Sequence, residues 1–241
     1  MRAETRHQLK QDRFSQVTIT AAEKTVDWTV EHRSKLIVAA IVLVLVVAVL
    51  GGGWYYLGQQ DEKASVELGK AVRTMNTNVR PEGVPAEPGF PSFSSAKERA
   101  TEAHKQLQQI IDKYPHTHSA DLARYFLGLT SADLGDNAAA ERELRAVGSS
   151  SNDDLAALSK FALASVYRNT NRNREAIDIY KKLMEKPVPA LGKVTTQMEL
   201  AATYQNDNQL DQAKLIYQQV QKENPNTQAA QMASGKLQDF K

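Results

Sequence analysis

The chain has no cysteine among its 241 residues, so a disulfide framework, a thiolate metal site and a lipidated cysteine anchor are all excluded. The redox compartment is left open. Aromatic residues are sparse at 7%, and the formal net charge is only +2. Residues 1–57 hold seven Lys+Arg and five Asp+Glu, which leaves 23 of each sign in residues 58–241. A net-neutral segment without a clustered basic face does not suit a nucleic acid. Catalytic constellations are missing too. His116, His118 and Asp121 follow a proline without an i,i+4 His pair, so they read as solvated loop residues ahead of a helix. Gly51-Gly52-Gly53 is not followed by the Lys-Ser/Thr that a phosphate cradle needs. Ser149-Ser150-Ser151 has no base or oxyanion donor in evident reach. The expectation is a non-enzyme with no cofactor, no metal and no small-molecule substrate.

What is present begins with one long apolar run. Leu36 to Leu57, "LIVAAIVLVLVVAVLGGGWYYL", carries no charge over 22 residues, and at ~1.5 Å per helical residue that spans a hydrocarbon core of roughly 30 Å. Trp54, Tyr55 and Tyr56 gather at one end, where amphipathic rings favour the headgroup region. The 35 residues before it exceed a normal signal-peptide n-region, so the run is expected to be a retained single-span anchor. Arg33 and Lys35 flank its start, and Asp61 and Glu62 follow its end, which favours an inside N-terminus. Ala48 and Gly52 form a small-xxx-small pair, a weak signal for helix packing in a bilayer. Residues 1–35, the tail, scatter Phe14, Val17, Val26, Trp28 and Val30 among mixed charges. They admit either an interfacial amphipathic helix or a disordered tail with a membrane-proximal helix.

Beyond the span the chain repeats itself. Ala103, Ala140, Ala176 and Ala213 recur at spacings of 37, 36 and 37. Each is followed at +4 by Leu107, Leu144, Tyr180 or Tyr217 and at +7 by Ile110, Val147, Leu183 or Val220. A second column precedes three of them: Leu127-Gly128, Leu163-Ala164 and Leu200-Ala201, with Ser131, Tyr167 and Tyr204 three residues after the small one. These spacings place apolar residues on one helical face. The intervening "GDN", "NTNRN" and "NDNQ" are turn formers. The unit is helix, tight turn, helix, and a hairpin that cannot bury its own apolar face must stack on the next.

Small residue, Tyr, Ala, Tyr, Pro in that order resembles the tetratricopeptide repeat, lengthened by two or three residues over that family's usual period. Residues 155–187 and 194–225 fit best, whereas 121–152 departs at Arg124, Ser131 and Asn152. The predicted fold is all-α: a cytoplasmic tail (1–35), a transmembrane helix (36–57), then an opening helix pair (58–118) with a Pro-rich loop (76–95). Three tetratricopeptide-like repeats (119–225) and a capping helix (226–241) complete it. In the opening pair, Val66, Ala71, Val72 and Met75 form the expected apolar stripe of 61–77, and Ala96–Tyr114 is the second helix. The loop carries Pro81, Pro85, Pro88 and Pro91, and its Phe90 and Phe93 are expected to cover a helix end.

With its span and "YPHTHSADLARYFLG…LGDNAAAERELRAV" (114–147), the chain also resembles the bacterial membrane-anchored tetratricopeptide proteins described as the ancillary subunit of the Sec translocon. That resemblance implies a single-pass inner-membrane protein with a cytoplasmic N-terminus and a periplasmic repeat domain. It also implies protein partners: translocon subunits, chaperones or envelope proteins. Mapping the family's groove columns onto this chain gives Tyr125, Leu129 and Asp133, then Phe161, Ser165, Arg168 and Asn169, then Met198, Ala202, Gln205 and Asn206. Arg168 and Asn169 reproduce part of a carboxylate clamp. The same Phe161 and Met198 equally suit packing between helices. The function expected is a membrane-tethered adaptor; the rival from another class is a scaffold of an envelope or division complex that oligomerises through its repeats.

Overall fold

Three successive hairpins of the chain are closed by the same device. The turns between paired helices carry Gly135, Asn171 and Asn208 with φ of 85°, 60° and 58°, and these three positions are 36 and 37 residues apart. One residue later an amide reaches back to close the preceding helix. Asp136 N donates to Ser131 O at 2.9 Å, Arg172 N to Tyr167 O at 2.8 Å and Gln209 N to Tyr204 O at 2.8 Å. This is the Schellman arrangement, in which a left-handed residue satisfies carbonyls that the helix end leaves over. Glycine takes that conformation without strain, and Asn is the side-chain-bearing residue that tolerates it best.

In this computed structural model, residues 32–81, 83, 85 and 92–240 are described. The expectations for residues 1–31 and for Phe90 lie outside them. The chain divides into two compact units, Met1–Tyr56 and Leu57–Lys241. One helix, α1 (Arg33–Asn76), crosses that boundary without a break. No proline interrupts residues 58–60, and Gly58, which could end a helix after the apolar run, stays helical. Within the first unit α1 is long and apolar enough to cross a membrane. Its large side chains from Leu36 to Leu57 are exposed, a contiguous apolar surface of a kind that monomeric soluble proteins rarely display.

In the second unit the later part of α1 pairs with α2 (Ala96–Lys113). Then come α3 (His118–Asp133), α4 (Asn137–Val147), α5 (Asp153–Asn169), α6 (Asn173–Glu185), α7 (Lys193–Asn206), α8 (Leu210–Glu223) and α9 (Gln228–Gln238). Among the described residues there is no strand, only an isolated bridge between Val79 and Phe93. That bridge, with Arg80 N donating to Phe93 O at 2.8 Å, ties the two ends of the Pro-rich loop together. Five helix starts carry side-chain caps: Ser95, Thr117, Asp136, Asn152 and Thr227 each accept an amide of the first turn. Asn152, which stands where the other repeats close with proline, thereby starts α5.

The small-residue columns are the centre of the stack. Ala103, Ala140, Ala176 and Ala213 are fully buried, as are Leu107, Leu144, Tyr180 and Tyr217 one turn on. Ser131, Tyr167 and Tyr204 are buried with them. The core forms two clusters, one of α1, α2 and α3 around Leu68, Leu107 and Leu127, the other running from Ala140 to Ala233. One expectation is corrected. Val66 is exposed, and α1 packs through Ala64, Leu68 and Ala71 with Val72 and Met75 half-buried beside them. Val66 lies two residues from Ala64, about 200° around the helix, and so points away.

Between the first and second full repeats a polar brace completes the packing. Arg172 lies 4.0 Å over the Tyr167 ring and donates to Glu141 at 2.6 Å, while Tyr167 OH donates to the other Glu141 oxygen at 3.0 Å. Burial pushes the Glu141 carboxyl up, but the hydrogen bonds from Arg172 and Tyr167 and the charges of Arg172 and Arg145 outweigh it. The net result is a carboxyl below its ordinary range.

Candidate functional site

Contacts between units of the stack fix which side is inner. Successive first helices touch, α3 with α5, α5 with α7 and α7 with α9, while among the described residues successive second helices α4, α6 and α8 do not. The stack is therefore a wedge with its first helices on the narrow side. That side carries the predicted groove columns, which follow the same 36- and 37-residue register.

Tyr125, Phe161 and Met198 form the first column, and all three are half-buried and packed on the core. Leu129, Ser165 and Ala202 form the second, also half-buried. Asp133, Asn169 and Asn206 stand exposed near the ends of their helices, next to half-buried Arg168 and Gln205. So the face has an apolar ledge along the middle of the first helices and a row of amides and a carboxylate along their C-terminal ends.

Several of these side chains are already engaged. Phe161 meets the Tyr180 ring edge-on with centroids 5.4 Å apart, and Ser165 Oγ lies 3.1 Å from Tyr180 OH. Burial pushes the Tyr180 phenol up despite the Ser165 hydrogen bond. Tyr125 leans on Phe126 at 5.3 Å, and its phenol is raised by burial as well. Arg168 is ion-paired to Glu199 of α7, so the cation of the partial carboxylate clamp has a carboxylate from its own chain. A ligand carboxylate at Arg168 must compete with Glu199. Among the described residues, the groups of this face without a hydrogen bond or ion pair are the Asp133 carboxylate and the amides of Asn169, Gln205 and Asn206, and the amides donate and accept as a peptide backbone requires.

Glu199 is the site residue that the sequence columns did not reveal. Its register partners are Phe126 and Ala162, so a carboxylate there breaks an apolar column, and that break is the available signal. Gln197 lies away from this face: fully buried near the Glu223 carboxylate, its amide makes no well-aligned hydrogen bond. His116 and His118 are exposed, and among the described residues no group of three or more His, Asp or Glu is arranged to hold a metal ion.

Comparison with known families accounts for most of the chain. Residues 27–193 match the family described as tetratricopeptide repeat-like domain, and residues 196–227 match the tetratricopeptide repeat. No curated protein and no solved structure matches the chain. Joined to the register of alanines, left-handed turns and first-helix contacts, the first match decides the assignment: the chain belongs to the tetratricopeptide repeat-like domain family.

Proposed function

We propose that this chain is a non-enzymatic, membrane-tethered adaptor whose first-helix face engages a segment of a protein partner. In this reading residues 1–35 lie in the cytoplasm, 36–57 cross the inner membrane and 58–241 stand in the periplasm. Residues 58–118 open the stack, 119–225 form its three repeats and 226–241 close it. The partners are subunits of the Sec translocon together with periplasmic chaperones or envelope proteins. The observation that carries the reading is an exposed apolar helix of membrane-spanning length in the same chain as an interaction repeat. Tethering raises the effective concentration of the repeat face near membrane partners without adding a contact. Along the ledge of Tyr125, Phe161 and Met198 a partner gains apolar contact, and Asn169 and Asn206 fix its backbone.

A tagged full chain, solubilised in detergent, should recover translocon subunits or envelope chaperones. Asn169→Ala with Asn206→Ala changes only exposed side chains and should cut the recovery several-fold while leaving the helical spectrum unchanged. Repeated failure to recover any such partner, or recovery indifferent to these substitutions, counts against the adaptor and its groove respectively.

A further inference from the structure

The wedge leaves its widest gap on the outer side, between the second helices. Between α4 and α6 this gap is a cavity of about 460 Å³, floored by α5. Ala157, Leu163, Ile179 and Leu183 give it an apolar floor, and Arg145, Lys160, Lys182 and Lys186 surround it. Gly148, at the end of α4, makes room for one of these cations: a Cβ built there would stand 3.4 Å from Lys160 Cγ, so the lysine stem lies across the glycine.

Two of the four cations are partly spoken for. Arg145 pairs with Glu141, and Lys186 lies 3.5 Å from Asp153, with both of those side chains more than 70% exposed. Lys160 and Lys182 have no ion pair among the described residues. The repeat does not require this charge. One unit further on, the register equivalents of Lys160, Lys182 and Lys186 are Gln197, Gln219 and Glu223. There the corresponding gap is closed by its own groups: Gln197 is buried, and Glu223 pairs with Lys193 at 3.1 Å. One unit earlier the equivalents are Arg124, Ala146 and Ser150. Three lysines around an apolar cavity are therefore specific to the middle gap.

We infer that this outer gap is a second binding site, for an acidic peptide segment that carries an aliphatic side chain. The side chain enters the cavity and its flanking carboxylates meet Lys160 and Lys182, with Arg145 and Lys186 at the margin. The volume falls in the usual range of ligand clefts, roughly 300–1,000 Å³, and is ample for one such side chain with part of its backbone, while charge complementarity supplies orientation and salt dependence. Asp153, which lines the cavity and pairs with Lys186, and Asp154 occupy the first turn of α5, so the carboxylates of the peptide are placed at Lys160 and Lys182 and not at that helix end. The site uses none of the groove residues and stands independently of the adaptor reading.

The test uses the full chain in detergent micelles and a fluorescein-labelled peptide of Glu and Gln around a central Leu, followed by anisotropy. Saturable binding is expected, weakened at high salt as an ionic contact requires. Lys160→Glu with Lys182→Glu should weaken it by roughly tenfold or more, and replacing the peptide Leu by Ser should weaken it several-fold. Both lysines are exposed, and an unchanged helical spectrum verifies that the variant is folded. Asn169→Ala with Asn206→Ala should leave the affinity unchanged. Undiminished binding by the charge-reversed chain overturns the inference, and so does equal affinity for the Ser peptide. An effect of charge reversal confined to phosphatidylglycerol vesicles overturns it as well, assigning the patch to a lipid surface.

Discussion

Gly128 offers the sharpest test of the stacking logic. It occupies the small-residue column of the first helices, where the next two repeats carry Ala164 and Ala201. A Cβ added at Gly128 would lie 2.6 Å from Leu144 Cγ and 2.8 Å from its Cδ2, about 1 Å inside ordinary carbon contact. Leu144 is fully buried and cannot swing into solvent. In the next repeats the residue in its column is Tyr180 or Tyr217. Contacts of Phe161 and Ser165 with Tyr180 show that ring crossing beside Ala164, where a flat side chain leaves room for a methyl. Gly128→Ala therefore sets two effects against each other. Helix propensity favours Ala by about 1 kcal/mol, while overpacking a filled core costs about 1–3 kcal/mol. The expected net is destabilisation of about 1 kcal/mol, or roughly 2–4 °C in Tm for a unit of this size. Removing the obstacle should reverse the sign: in a Leu144→Ala background the same substitution should stabilise by up to about 1 kcal/mol, because only the propensity gain remains. Urea denaturation of the unit Leu57–Lys241, followed by circular dichroism, measures both steps. Stabilisation of similar size in both backgrounds would refute a close approach of α3 and α4 at this point.

The left-handed turns and the polar brace give two further expectations. Asn171→Ala should cost about 1–2 kcal/mol by forcing a Cβ-bearing residue without a compensating amide into φ of 60°, whereas Asn171→Gly should be close to neutral; thermal melts of the two variants compare them directly. Glu141 is held below the ordinary carboxyl range in the folded chain, so its stabilisation is present above the unfolded carboxyl's value of about 4 and is lost as pH falls through the lower folded value. Glu141→Gln should flatten the acid side of the stability profile, and an unaltered acid limb would remove Glu141 from that role.

The periodic features were legible in the sequence because burial at a repeat interface demands the same residue size at the same place. Ala140, Ala176 and Ala213 announce the close approach of helices by smallness alone, and Gly135, Asn171 and Asn208 announce the turns by backbone chemistry. Features that depend on the phase between neighbouring helices were not legible. Val66 stands on the exposed face because α1 packs through small Ala64 and Ala71 on either side of Leu68, a stripe that residue size does not single out within one helix. The pairing of Arg168 with Glu199 joins two first helices across 31 residues, and no spacing within either helix reports it. The outer cavity is similarly hidden: its lysines sit on α5 and α6, unremarkable in each helix and adjacent only once the hairpin closes.

The nearest-neighbour arrangement of α3 through α9 has a temporal consequence as well. Every buried alanine in this run finds its company within the adjoining hairpin, so no segment waits for a distant strand or a late terminus to become dry. A nascent chain can settle one hairpin after another, from the beginning of the stack toward α9, as soon as each next pair of helices emerges.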